Sequence, residues 1–273
     1  MRDIKYSIDK IIDSLKNIKG LEAIVLGGSR ARGTHSSDSD IDVGLYYDKE
    51  TIDLSLLEKR VQELDQEHRE NLLAKPGEWG KWVDGGCWLM IDNLPVDFIL
   101  RDVNRVQKAI QECREGIVTP HYQTGHPHAY FNVMYMGELA VSKFLWSKGD
   151  EICKLKSIAE DYPPKLKKEI LHLFSFEAGF SLMLAEKNAA RDDAYYVVAH
   201  LVRSISALNQ VLFALNEQYC INEKKAVKMI DTFNIHPDNY KNRVDTIFSF
   251  AAIDLLGACN HLKELINEVN ELI

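Results

Sequence analysis

Two aspartates one residue apart, Asp40-Ile41-Asp42, follow a run of small and basic residues, Gly27-Gly28-Ser29-Arg30-Ala31-Arg32-Gly33. On a strand, side chains two apart leave from the same side. Two carboxylates so placed repel each other unless a cation lies between them, and Mg²⁺, with its preference for oxygen ligands, suits that donor set. A third carboxylate, Asp97, stands in the apolar run Val96-Asp97-Phe98-Ile99, where a charge without a partner is costly. If its strand lies beside the one carrying Asp40 and Asp42, three carboxylates converge and can hold two metal ions ~3.5–4 Å apart, the clamp of in-line phosphoryl displacement. Ahead of them, the small residues Gly28 and Ser29 let backbone amides approach phosphate oxygens. Arg30 and Arg32 beside that turn offer cations to the same phosphates, or else pair at the surface with Asp38 or Asp48. The run lacks the Lys-Ser/Thr ending of a P-loop, which excludes an ATPase of that kind. An Asp-x-Asp alone is common on solvated loops; the turn before it and the strand aspartate after it make this one informative.

The elements that must position these residues can be read from periodicity. Ile4, Ile11, Ile12, Leu15 and Ile18 recur at helical spacing and stop at Gly20, which predicts a helix over most of residues 3–19. Residues 21–26 and 41–47 read as strands, the first by a short apolar run and the second by alternation. A charged helical pattern covers 53–73, a tryptophan-rich loop follows over 76–86, and residues 88–91 and 96–100 read as two strands joined by a turn. The order implies an α/β sheet of mixed direction. The tryptophans between Trp79 and Trp88 could stack on a base or sugar, but burial against the sheet is the expected use. After Arg101 strand signals fade. From about residue 129 the chain reads as amphipathic helices over residues 131–146, 165–187, 192–219, 223–233 and 240–272. The predicted organisation is an N-terminal α/β domain, residues 1–110, and an α-helical C-terminal domain, residues 111–273.

Length and composition agree. A chain of 273 residues exceeds the usual single-domain size of ~100–150, so two modules are expected. A net charge of −8 disfavours a long nucleic acid as the main partner, because such binding is driven by neutralising phosphates with Lys and Arg. The five cysteines form no CxxC pair, which fits reduced thiols and a cytoplasmic location. The charged stretch Met1-Arg2-Asp3-Ile4-Lys5 lacks the character of a signal peptide, and no apolar run approaches the ~18 residues of a membrane span. Cys113, His121, His126 and His128 match no zinc-ligand spacing. Residues 122–130 either line an acceptor pocket or form a structured linker. Asp192 and Asp193 open a helix, where acids favour the positive end.

With these residues in order, the sequence resembles the DNA polymerase β-like nucleotidyltransferases, whose signature is a Gly-Ser turn, an Asp-x-Asp and a later Asp or Glu. The resemblance covers roughly residues 21–100 and places Gly28, Ser29, Asp40, Asp42 and Asp97 on motif positions. A short catalytic domain followed by a helical half is similar to the bacterial antibiotic nucleotidyltransferases that adenylylate aminoglycosides or lincosamides, although the C-terminal half carries no matching motif. The resemblance implies transfer of a nucleoside monophosphate from ATP or another NTP to a small hydroxylated acceptor, with two Mg²⁺ ions as cofactors. Asp40 and Asp42 would bind both ions and Asp97 the one that activates the acceptor. Gly28, Ser29 and Arg32 would hold the triphosphate. By position only, Glu138 is the candidate general base and Lys143, on the same predicted helix, a further phosphate contact. Two alternatives stay open: transfer to a protein or RNA end, as in antitoxin-like nucleotidyltransferases, and a catalytically silent nucleotide-binding scaffold. A homodimer is compatible with either.

Overall fold

Five strands form one mixed sheet in the computed structural model, which describes residues 4–191 and 193–273. They are β1 (Leu21–Leu26), β2 (Ile41–Tyr47), β3 (Gly86–Ile91), β4 (Leu94–Asp102) and β5 (Lys143–Ser147), in the order β3-β4-β2-β1-β5. Only the β2–β4 pair is parallel; β1–β2, β1–β5 and β3–β4 are antiparallel. Asp92 and Asn93, both at positive φ, make the tight turn between β3 and β4, the conformation a two-residue hairpin requires.

Alternation divides the sheet into two faces. Ile41, Val43 and Leu45 of β2, Cys87 and Leu89 of β3, and Val96, Phe98 and Leu100 of β4 point to one side and are buried with Ile11 and Leu15 of α1 (Ile4–Leu15) and Leu57, Val61 and Leu64 of α3 (Leu54–Leu64). Each such side chain removed from water contributes ~1.5–3 kcal/mol, so this face anchors the strands. The other face carries Asp42, Gly44 and Tyr46 of β2, Asp97, Ile99 and Arg101 of β4, and Trp88 of β3, with α2 (Gly28–Arg32) at the end of β1.

The chain divides into two compact units. One runs to Gln111 and takes in His121–Gly125 and Tyr135–Asp161; the other comprises Glu112–Pro120, His126–Met134 and Tyr162–Ile273. Residues 135–161 count with the sheet because β5 pairs with β1. Here the observed elements depart from the helix expected over 131–146: α5 (Val133–Val141) stops where Ser142 donates its hydroxyl to the Leu139 carbonyl, and Lys143–Ser147 satisfies its backbone on the open edge of β1. Three helices had no counterpart in the sequence reading: α4 (Val103–Arg114), α6 (Glu151–Glu160) and the short α2, which was read as a turn. The first is largely polar and buries only Val103, Val106, Ala109, Ile110 and Cys113. The expected helix over 53–73 ends early, because the Asp65 carboxylate turns back to Arg69 and the Met90 amide.

The second unit is helical. α7 (Pro164–Ala189) starts on a proline whose missing N–H costs nothing there. It packs on α8 (Ala194–Leu215), and Ser204 donates to the Ala178 carbonyl between them at 2.8 Å. The cap of α8 is Asp193, which accepts from the Tyr196 amide; Asp192, read together with it, lies outside the described residues. α9 (Ala226–Ile230), α10 (Tyr240–Ala251) and α11 (Leu255–Glu271) complete the unit. The last two replace the single helix expected over 240–272, because Asp254 caps a new start by accepting from Gly257. Among the described residues α8 is long and apolar enough to cross a membrane by length and composition, and 67% of that stretch is buried within the protein. The sequence reading placed a helix over 192–219 but no span there, because His200, Arg203, Asn209 and Gln210 interrupt its apolar runs.

Candidate active site

Asp42 of β2 lies directly beside Asp97 of β4, and Asp97 directly beside Trp88 of β3. The three form one row on one face, with neighbouring strands ~4.8 Å apart. The turn after β1 meets the same row: the Gly27 amide donates to the Asp42 carbonyl at 2.8 Å. Gly28 sits at φ +56°, and a Cβ there would fall 1.8 Å from Asp42 Oδ2. Only glycine fits, because the carboxylate occupies the side-chain position and the backbone is left-handed. Ser29 follows in α2, and Arg32, half-buried, ends it. Asp40 is exposed and immediately precedes β2.

Arg30 does something neither sequence reading anticipated. It is 6% exposed, and its guanidinium donates from Nε to the Asp40 carbonyl at 3.0 Å and from a terminal nitrogen to the Ser39 carbonyl. It therefore clamps the loop that delivers Asp40 and Asp42, rather than pairing at the surface or offering its charge to a phosphate.

Asp42 and Asp97 thus come together with Gly28, and Asp40 sits at the same end of the sheet. Among the described residues no three His, Cys, Asp or Glu side chains are already gathered as a metal cluster. The residues fit a hard divalent cation, since the donors are carboxylate oxygens and the Gly28 backbone closes on Asp42 without an intervening side chain. Lys143 lies on β5 rather than a helix. Its Cα pairs with Leu26, the last residue of β1, so this exposed ammonium is carried next to the Gly27-Gly28 turn.

Glu138 is placed differently. Both its oxygens accept from Arg101, at 2.7 Å from Nε and 2.9 Å from Nη2. Arg101 is fixed in turn by the Val83 and Leu100 carbonyls and lies over the Tyr135 ring at 5.2 Å. It is four positions beyond Asp97 on β4, ~13 Å along the strand. Around this pair the groups are deeply buried: Tyr46 and Tyr135 have phenol pKa values raised by burial, and Tyr135 donates to the Trp82 carbonyl. Tyr47 donates to Asp84 at 2.6 Å, and Gln123, 4% exposed, ties down the tryptophan loop through Trp79, Trp82 and Val83.

The remaining candidates divide. His121 stacks on Trp82 at 3.7 Å. In the helical unit His126 shares a hydrogen bond with Glu223 at 3.0 Å, and His128 lies near Glu177, which pairs with Arg203. Burial holds His128 below the usual imidazole range against the pull of Glu177. Burial also pushes the Cys87 and Cys113 thiols up to about 12, which disfavours their thiolate forms.

Residues 8–114 match the family model of the nucleotidyltransferase domain, and this part of the chain is a nucleotidyltransferase domain. The turn, Asp40, Asp42 and Asp97 all fall inside the match. Among solved structures, the chain is similar to a nucleotidyltransferase-like protein from Exiguobacterium sibiricum, at 7% identity and a TM-score of 0.45 over 99% of this chain and 74% of that one. It is also similar to the spectinomycin adenyltransferase AAD(9) from Enterococcus faecialis, solved with ATP and spectinomycin, at 14% identity and a TM-score of 0.34 over 98% of this chain and 100% of that one. No curated protein matches the chain.

Proposed function

We propose that the protein transfers a nucleoside monophosphate, AMP in the first instance, from an NTP to a hydroxyl of a small acceptor of the aminoglycoside type. The observation that carries this reading is the register that sets Asp42 beside Asp97 with Gly28 pressed against Asp42. On this reading Gly28, Ser29, Arg32 and Lys143 hold the triphosphate, with Lys143 reaching it from the edge of β5. Asp40, Asp42 and Asp97 would hold two Mg²⁺ ions, which when bound polarise the α-phosphate and lower the pKa of the attacking hydroxyl. The acceptor oxygen bonds to the α-phosphorus as the bond to the departing pyrophosphate breaks, and the hydroxyl proton leaves to a carboxylate or to solvent. Glu138 we place in a positioning role: its pair with Arg101 holds the deep end of β4 and the tryptophan loop, and it reaches an acceptor only by leaving Arg101. Reduced cysteines accord with a cytoplasmic setting, and antibiotic modification is the sharpest physiological form of the activity.

Pyrophosphate release from each NTP, with Mg²⁺ and a panel of kanamycin, spectinomycin, lincomycin and hydroxylated metabolites, tests the reading. Release that needs one acceptor, stops with EDTA and falls at least ~10³-fold in Asp42→Ala is the expected result. NTP binding without turnover across the panel would favour the silent scaffold instead.

A further inference from the structure

We infer that Trp88, backed by Trp79, is the stacking platform for the acceptor, and that the acceptor is a ring-bearing polyol with amino substituents. This rests on the transferase reading above. Burial was the expected fate of these tryptophans, yet Trp88 is 62% exposed on the outer face of β3. Its ring stacks on Trp79, with centroids 4.5 Å apart and planes inclined by 26°. Trp79 is set from below: a Cβ at Gly86 would lie 2.8 Å from Trp79 Cζ3 and 2.0 Å from the Phe98 carbonyl oxygen, so a glycine leaves the floor on which Trp79 rests. The Trp79 backbone is held at both ends, its amide donating to Asp84 and its carbonyl accepting from Gln123 at 2.6 Å. An exposed indole backed by a half-buried one in this way is an apolar surface that water does not favour.

The sheet order decides which substrate uses it. The phosphate-side groups, Gly28 and Lys143, sit on β1 and β5; Asp42 and Asp97 occupy β2 and β4; Trp88 is on β3, at the opposite edge. A donor with its triphosphate at β1 and an acceptor hydroxyl between Asp42 and Asp97 leaves the body of the acceptor over β3, one strand spacing, ~5 Å, beyond Asp97. A ring face stacks on the indole, and an ammonium substituent gains from the indole π-face. Arg69, whose Nη2 donates to the Trp88 carbonyl, does not oppose a cation, because its guanidinium is committed to Asp65.

Steady-state kinetics with MgATP and kanamycin, spectinomycin or lincomycin test the assignment in Trp88→Ala and Trp88→Phe. The expected result is a KM for the acceptor turned over that rises about tenfold in Trp88→Ala, with the KM for ATP unchanged and most of the loss recovered in Trp88→Phe. An unchanged acceptor KM overturns the platform, and a raised KM for ATP alone overturns it by giving the ring to the nucleobase. A wild type that turns over none of the three sinks the transferase reading for these acceptors. Calorimetric titration of the same compounds then judges the platform separately: weaker binding to Trp88→Ala than to wild type sustains it, and equal or undetectable binding to both overturns it.

Discussion

Gly28 shows how far a single residue can be committed to a site. Its backbone is left-handed and its missing side chain is where the Asp42 carboxylate lies. Gly28→Ala therefore incurs ~1–2 kcal/mol of backbone strain and must also displace Asp42. We expect a melting temperature lower by a few degrees and a loss of pyrophosphate release far larger than that modest destabilisation accounts for. Calorimetry and the release assay on the same preparation check both halves, and full activity in the variant would disconnect the turn from the carboxylate. Gly28, Ser29, Asp40, Asp42 and Asp97 could all be singled out as candidates in the sequence, because charge and glycine in that order have few other uses. The clamp by Arg30 was not, since nothing in a linear sequence distinguishes an arginine that faces a phosphate from one that faces two carbonyls of its own loop.

At the scale of elements, the pair between β4 and α5 is the informative one. Arg101 is 4% exposed at its side chain and has Glu138 as a bidentate partner. Removing one member of such a pair leaves the other charge poorly compensated, a loss of ~3 kcal/mol when burial is deep and less here because Glu138 is 28% exposed. Glu138→Gln is expected to lower thermal stability and kcat together while the acidic limb of the kcat/KM pH profile keeps its position. A profile whose acidic limb disappears in the variant would make Glu138 the general base. The strands β1 and β2 were legible to the residue because Gly20 and Gly27 flank the apolar run of the first and alternation marks the second. Strand β5 was not, because Lys143–Ser147 follows an apolar helix without a breaker, and only the open edge of β1 makes it a strand.

For the whole molecule, binding and stability are linked: a ligand that binds only the folded chain raises its stability by RT ln(1 + [L]/Kd). MgATP at about a hundred times its Kd should therefore stabilise the wild type by ~2.7 kcal/mol. Differential scanning calorimetry should show the shift with MgATP, a much smaller one with ATP and EDTA, and a similarly small one for Asp42→Ala with MgATP. An equal shift with and without Mg²⁺ would mean that the carboxylates take no part in nucleotide binding.

The residue types and their order were enough to indicate a mixed sheet bearing the three aspartates and helices to follow, because glycine geometry and periodicity are local rules. Three things depended on the fold. The pairing of Asp42 with Asp97 needed the parallel β2–β4 register, a contact between segments far apart in the chain. The return of residues 135–161 to the sheet unit needed an unpaired strand edge, which exists only once β1 is in place. The exposure of Trp88 turned on which face of β3 looks outward, and that is set by Cys87 and Leu89 entering the core on the other side.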